Sequence, residues 1–213
     1  VAVTPSNMYF TDAMRGKVLA LGNQGDGIRV ISDKGMKDYF SDLFDSYVDE
    51  CLGTYDARKK DYNLTVKKKY AHYQAAPHES VTISYSESSD GWESFKSFIP
   101  QSGVSLNNSY YTMFNGMFFE HHINETRNNF YGIQGVSELT SIFNESPLEN
   151  KKFKTIALES DDPWQGTFIT DIQTTGFINA DLSNPSNQYY EKKENDWFAY
   201  IRNSGNVPAN LDQ

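Results

Sequence analysis

The chain has 213 residues, a net charge of −9 at pH 7 and one cysteine, Cys51. A chain of this length can bury roughly 70% of its unfolded surface in one domain, so it needs neither metal nor disulfide to fold. No apolar run approaches the roughly 18 residues of a membrane-spanning helix, and an acidic surface disfavours nucleic acid as a partner.

Short strands are predicted from the N-terminus onward. The start, VAVTPSNMYF, has no secretory pattern and no initiator Met, so we expect it to lie inside a longer polypeptide. NMYFTD, GKVLAL and GIRVIS are aromatic or β-branched runs separated by turn-rich AMRG and GNQGDG, which is typical of an antiparallel meander. The order of Gly22, Gly25 and Gly27 does not fit a dinucleotide fingerprint, and a hairpin turn explains them better.

One amphipathic helix is predicted at about 36–51. Apolar residues recur there at helical period and form one stripe: Met36, Phe40, Leu43, Phe44 and Tyr47. Aspartates follow an adjacent face: Asp38, Asp42, Asp45 and Asp49. Such a row could meet a cation or a basic partner, but it is more often the solvated side of a surface helix.

Period-two alternation returns after the helix. YNLTV and VTISYS alternate as half-buried strands, and with GTYD and GWESFKSF they give four strand candidates over 53–98. That length matches one four-stranded propeller blade. The nearby basic runs 58–60 and 67–69 are expected to be solvated turn ends.

Two further sets of strands follow. The first is SYYTMF, GMFFEHHI, NNFYGI and SELTSIF, with FNGM as a turn; the second is KKFKTIALES, GTFITDIQT, QYYEKKE and NDWFAYIRN. ESSDGWESF and KKENDWFAY each place a Trp directly after a polar turn, which indicates that Trp92 and Trp197 are wedges packed between sheets.

These patterns predict an all-β chain of propeller-like antiparallel blades with the one inserted helix. A β-sandwich would explain the same spacing. We expect a single propeller-like portion, 1–213, with blade-like units and a helical insertion at the following positions: units 1–33, 53–98, 105–145 and 150–203, and insertion 34–52.

A family resemblance extends over nearly the whole chain. It is carried most specifically by GWESFKSFIPQSG with its downstream YYTMFNGMFFEHH and NNFYG, and by PLENKKFKTIALES. With TPSNMYFTDAMRGKVLALG, ISDKGMKDYF, GTYDARKKDYNLTV and EKKENDWFAYIRN, these blocks resemble virion structural proteins of tailed bacteriophages. The resemblance is to the tail nozzle or muzzle proteins of short-tailed phages, including crAss-like ones.

The resemblance implies a non-enzymatic component of the virion tail. Proteins of this kind are propeller-like and sit in a ring at the distal end of the tail, along the path by which DNA leaves. The expected partners are other tail proteins and further copies of the chain, with no cofactor, no sequence-specific nucleic acid and no membrane span. Family members are several times longer. No catalytic, cofactor or metal residues come with the family.

The histidines do not have the spacing of a metal site. Glu120, His121 and His122 lie on a predicted strand, where adjacent side chains point to opposite faces. His72 and His78 lie in a loop-like stretch without zinc spacing.

Carbohydrate recognition or cleavage is the alternative function. Glycoside hydrolysis needs two carboxyl groups in different environments on either side of a sugar. The candidates are Asp90, Glu93, Glu120, Asp161 and Asp162. Asp90 and Asp161 precede Trp92 and Trp164, as an acid beside a stacking platform would, but Asp also stabilises ordinary turns.

Overall fold

A computed structural model describes residues 1–22, 25, 27–45, 48–68, 80–171, 176–180 and 189–203. The chain divides into two compact units, Val1–Thr140 and Ser141–Gln213. No helix among the described residues is long and apolar enough to cross a membrane.

The first unit opens with a four-stranded antiparallel meander. Its strands are β1 (Ala2–Val3), β2 (Asn7–Asp12), β3 (Lys17–Gly22) and β4 (Ile28–Val30), in that order across the sheet. The predicted runs NMYFTD, GKVLAL and GIRVIS correspond to β2, β3 and β4. The predicted AMRG turn is a short 3₁₀ helix, Ala13–Arg15.

The helix is shorter than predicted. Helix α1 spans Lys37–Asp45, and strand β5 (Val48–Asp56) begins where 36–51 was expected to remain helical. Asp45 places a negative charge at the C-terminus, where the helix dipole disfavours it. After the helix, the backbone hydrogen bonds are made between strands instead, as Val48 and Cys51 pair with the next strand. Lys68 Nζ donates a hydrogen bond to the Leu43 carbonyl oxygen, which lies in the last turn of the helix.

The second sheet is the four-stranded meander predicted for 53–98. It runs β5, β6 (Asp61–Lys68), β7 (Val81–Ser86) and β8 (Gly91–Lys96). Its buried residues join those of the first sheet and of helix α1 in one core, which includes Tyr9, Phe40, Tyr62, Leu64 and Tyr85. The rings of Tyr9 and Tyr62 stack at 4.5 Å.

A three-stranded sheet follows in the first unit. It consists of β9 (Ser102–Leu106), β10 (Ser109–Phe114) and β11 (Met117–Glu120), with β10 in the middle. FNGM forms the predicted turn, in which Asn115 and Gly116 both have positive φ, as tight hairpins require. A two-stranded hairpin, β12 (Asn129–Phe130) and β13 (Ile133–Gln134), comes next.

The described residues of the second unit form two three-stranded antiparallel sheets. One has the order β14 (Thr155–Leu158), β18 (Asp196–Tyr200), β17 (Tyr190–Lys193). The other has the order β15 (Gly166–Phe168), β16 (Gly176–Ile178), β19 (Arg202–Asn203). Ile178, Tyr190 and Ala199, which come from both sheets, form the buried core of the second unit.

The all-β prediction is confirmed. Four-stranded sheets form in the regions of the predicted units 1–33 and 53–98, whereas residues 102–134 form sheets of three and two strands. The described strands form six separate sheets of two to four strands, and none of them closes into a barrel or propeller. SELTSIF, predicted as a strand of the 105–145 unit, has no regular structure and is solvent-exposed. The 150–203 stretch forms two sheets because β14 pairs with β18, whereas β15 pairs with β16.

Candidate functional site

Trp92 is a structural residue of the first unit. It lies in β8 and packs against Phe40 of helix α1 at 4.7 Å and against Tyr85 of β7 at 5.3 Å between ring centroids. Its indole N–H donates to the Ile31 carbonyl oxygen at 2.9 Å, just after β4. The ring therefore fills the space between its own sheet and helix α1, rather than a gap between two radiating blades.

The turn between β7 and β8 holds two carboxylates in structural roles. Glu87 Oε1 accepts hydrogen bonds from the Thr4 hydroxyl at 2.9 Å, the Asn7 amide at 3.0 Å and the Tyr9 hydroxyl at 2.8 Å. These three donors belong to the N-terminal sheet region, so Glu87 ties the first sheet to the second. Sequence reasoning did not single out this residue.

Asp90 is an anchored carboxylate rather than a catalytic acid. It accepts hydrogen bonds from Lys34 and from the Tyr85 hydroxyl. The Lys34 hydrogen bond, followed by that of Tyr85, lowers the pKa of Asp90 below its ordinary value. A general acid in glycoside hydrolysis needs a raised pKa, so this environment favours the structural role. Glu93, its nearest predicted companion, accepts a hydrogen bond from Ser89 at 2.7 Å.

The two adjacent histidines have different environments. Neither lies on a strand as predicted, because β11 ends at Glu120 and the chain bends at His121 and His122. His121 is buried, and its Nε2 lies 2.7 Å from the Thr112 hydroxyl. Burial, with the neighbouring His122 next in effect, lowers the pKa of His121 to about 4. His122 points elsewhere and contacts Asp56 through Nε2–Oδ2 at 2.5 Å.

His121 belongs to an aromatic cluster with Phe98, Tyr110, Phe130 and Tyr131. A cavity of about 310 Å³ adjoins it and is lined in part by both histidines and Arg127. Among the described residues no three His, Cys, Asp or Glu side chains are grouped as metal ligands. His72 and His78 lie outside the described residues.

The remaining predicted residues divide between the two units. Glu120 is exposed at the end of β11. Asp161 and Asp162 lie in the second unit and accept hydrogen bonds through their backbone carbonyl oxygens. Asp161 accepts from Trp197 Nε1 at 3.4 Å, and Asp162 accepts from the Ser160 hydroxyl at 2.6 Å. Trp164 is 42% exposed.

Trp197 opens β18, as Trp92 opens β8. It packs on the core of the second unit and lies edge-on to Tyr190. Lys192 lies over the ring, with Nζ 5.1 Å from the ring centroid. Both tryptophans thus support the local core of their own unit.

The aspartate row faces solvent where it is helical. Asp38, Asp42 and Asp45 are exposed on helix α1, whereas Asp49 lies on strand β5. Tyr47, predicted to end the apolar stripe, lies outside the described residues, while Phe40, Leu43 and Phe44 are buried as predicted.

Residues 125–204 match the family of the Crassvirus muzzle protein C-terminal domain. The chain resembles the muzzle proteins of crAss-like phages. A muzzle protein is a component of the virion tail, and the match confirms the predicted resemblance to muzzle proteins. No curated protein matches the chain.

The muzzle-domain match begins within the first unit. It includes Phe130 and Tyr131 of the aromatic cluster around His121, and it continues through the described strands of the second unit. The described residues of the matched range include packing residues, cross-strand pairs and exposed connecting segments.

Proposed function

We propose that the chain is a tail nozzle or muzzle component that assembles with copies of itself into a ring and shapes the path by which DNA leaves the virion. The match of residues 125–204 to the muzzle protein domain carries this proposal. In support, Glu87 joins the first two sheets, and Trp92 and Trp197 pack in the cores of their own units. The role is mechanical and non-enzymatic.

The charge of the chain suits a DNA exit path. At a net charge of −9, the chain repels phosphates, so DNA can slide past an acidic wall without adhering to it. Purified protein should therefore leave duplex DNA unshifted in a gel at about 0.1 M salt, where screening acts over roughly 10 Å. Retention of DNA at that salt would contradict an acidic lining.

The tail assignment is tested on intact particles. An antibody raised against the chain, followed by gold labelling, should mark the distal end of the tail in electron micrographs of virions. Labelling restricted to infected-cell debris, with none on the particles, would overturn the proposal.

A carbohydrate-binding receptor role is the second candidate, and one observation favours it. Trp164 exposes 42% of its surface in the stretch that contains Asp161 and Asp162, as a sugar-stacking residue beside carboxylates would. The Trp164→Ala variant should then lose binding to host polysaccharide without losing stability. If the unmodified protein neither binds nor cleaves polysaccharide of the host, this candidate is excluded.

A further inference from the structure

A long exposed connection joins the strands β13 and β14. From residue 136 to residue 154 every side chain is exposed, and none of these residues lies in a helix or a strand. The bends and the turn of this stretch lie at residues 145–149. Connections of more than about 15 residues without secondary structure are uncommon in compact proteins and usually have a function. We call residues 136–154 the β13–β14 connection.

The β13–β14 connection ends in three lysines whose surroundings differ. Lys151 and Lys152 belong to the stretch 150–153, where the described structure shows no hydrogen bond to any backbone group and no ion pair to either lysine. Lys154 is already held by the second unit, because its carbonyl oxygen accepts a hydrogen bond from the Ile201 amide at 2.9 Å. Strand β14 begins at the next residue. We call Lys151 and Lys152 the lysine pair.

An exposed lysine on unpaired backbone is the substrate that a protease of the trypsin class accepts. Such an enzyme receives the basic side chain in a pocket that contains a carboxylate. The substrate chain lies extended, and its backbone N–H and C=O groups are available for hydrogen bonds, as in other recognition of extended peptides. The stretch 150–153 meets both conditions in the folded protein. Exposed connections with few hydrogen bonds are also the preferred sites of cleavage in native proteins.

A second exposed basic run shows what distinguishes the lysine pair. Arg58, Lys59 and Lys60 are also exposed, but they form the tight turn between β5 and β6. The Lys60 amide donates to the Asp56 carbonyl oxygen at 2.8 Å. The amides of Arg58 and Lys59 donate to Asp56 Oδ1 at 3.0 and 3.2 Å. These hydrogen bonds must break before the turn can extend in a protease, so exposure of the cations is not sufficient there.

Cleavage in the stretch 150–153 would break none of the strand pairing that the structure describes. Strands β1 to β13 form four sheets among themselves, and strands β14 to β19 form the other two. Each described sheet therefore takes all of its strands from one side of the stretch. A chain cut there keeps the hydrogen bonds within every one of these sheets.

We propose that the lysine pair is a site of proteolytic processing by proteases of the trypsin class. Water is added across the peptide bond that follows Lys151 or Lys152, which leaves a carboxylate on that lysine and an amine on the next residue. A cut after Lys152 produces the fragments 1–152 and 153–213. The inference does not depend on the proposed ring, because it rests on the exposure and hydrogen bonding of the chain itself.

Limited digestion of the whole chain with trypsin tests the proposal. Mass spectrometry of the earliest products should find new N-termini at Lys152 or Phe153, before any product cut after Lys59 or Lys60 appears. The double substitution Lys151→Gln with Lys152→Gln should slow the appearance of the C-terminal fragment at least tenfold, because glutamine lacks the cation that the pocket binds. The matched control, Lys59→Gln with Lys60→Gln, should leave that rate unchanged.

Urea distinguishes a site that is open in the folded protein from one that opens by unfolding. Between 0 and about 1 M urea the rate of this cut should change less than about twofold, relative to a short lysine peptide that corrects for the response of the enzyme. A cut that requires unfolding follows the population of the opened chain and would accelerate roughly fivefold or more, which would overturn the proposal. Early products that begin at Lys60 or Asp61, with none at Lys152 or Phe153, would overturn it as well.

Discussion

At the scale of single residues, a polar turn followed by a tryptophan predicted which aromatic rings pack in the core. Trp92 and Trp197 both open strands directly after polar turns, as the repeated sequence pattern predicted. The partners of Trp92 could not be derived in this way. Its contact with Phe40 depends on where helix α1 lies, and the hydrogen bond to Ile31 depends on how the first sheet meets the second.

Replacement of Trp92 by alanine should destabilise the first unit by about 3 kcal/mol, since a large ring is lost from the core and the cavity relaxes only in part. The value is at the low end for tryptophan because the indole is half-buried. Urea unfolding followed by circular dichroism measures the change. Trp164→Ala is the matched control and should cost less than about 1 kcal/mol; equal losses in the two variants would contradict the packing role of Trp92.

Removal of the Glu87 carboxylate should destabilise the protein by roughly 1 to 3 kcal/mol, because Thr4, Asn7 and Tyr9 lose their shared acceptor. Thermal unfolding of Glu87→Ala tests this. Glu93→Ala, with its one exposed hydrogen bond from Ser89, is the control and should change stability by less than about 0.5 kcal/mol. If Glu93→Ala is the more harmful substitution, Glu87 does not join the sheets.

Stability should fall as the pH decreases through the range in which the unfolded form of His121 takes up a proton. Its pKa is about 4 in the fold because burial disfavours the charged ring, and near 6.5 when unfolded. The contribution of His121 to the free energy of unfolding is therefore complete above about pH 6.5. It falls by up to about 3 kcal/mol as the pH approaches 4. His121→Gln should remove this part of the slope, and identical slopes in both proteins would refute the assignment.

At the scale of elements, alternation identified most strands, but pairing decided their extent. The stripe from Met36 onward predicted a helix correctly, whereas its end could not be read from periodicity. Strand β5 starts at Val48 because Val48 pairs with Lys68 of β6. Local periodicity does not show a pairing between residues this far apart in the sequence. Strand β9 was missed because SGVSL is rich in small polar residues, while its pairing with β10 stabilises it.

The contact between β9 and β5 leaves no room for a larger residue at Gly103. A methyl group there would lie 2.9 Å from Thr54 Cγ2 and 3.3 Å from the Tyr110 hydroxyl. Gly103→Ala should therefore cost about 1 to 3 kcal/mol through overpacking, measured by urea unfolding. At Gly91 the nearest atom is 3.8 Å away, so Gly91→Ala should be close to neutral. A neutral Gly103→Ala would mean that β9 does not pack closely on β5.

At the scale of the whole molecule, composition and the aromatic strands predicted an all-β chain, and the muzzle-domain match agrees with the resemblance seen in the sequence blocks. The exposed apolar side chains of the sheet β9–β10–β11 were not predicted. Their alternation is visible in VSL and YYTMF, but sequence alone does not tell which side of a sheet the rest of the chain covers. SELTSIF was mistaken for a strand because its apolar residues suit a buried strand, whereas in the structure they are exposed and belong to no sheet.

The position of the chain in the virion tests the central claim most directly. A cryo-electron microscopy map of intact tails, at a resolution that separates strands, should show copies of this fold arranged in a ring about the tail axis at the distal end. Copies found only on peripheral fibres, or a tail tip built without this chain, would contradict the account.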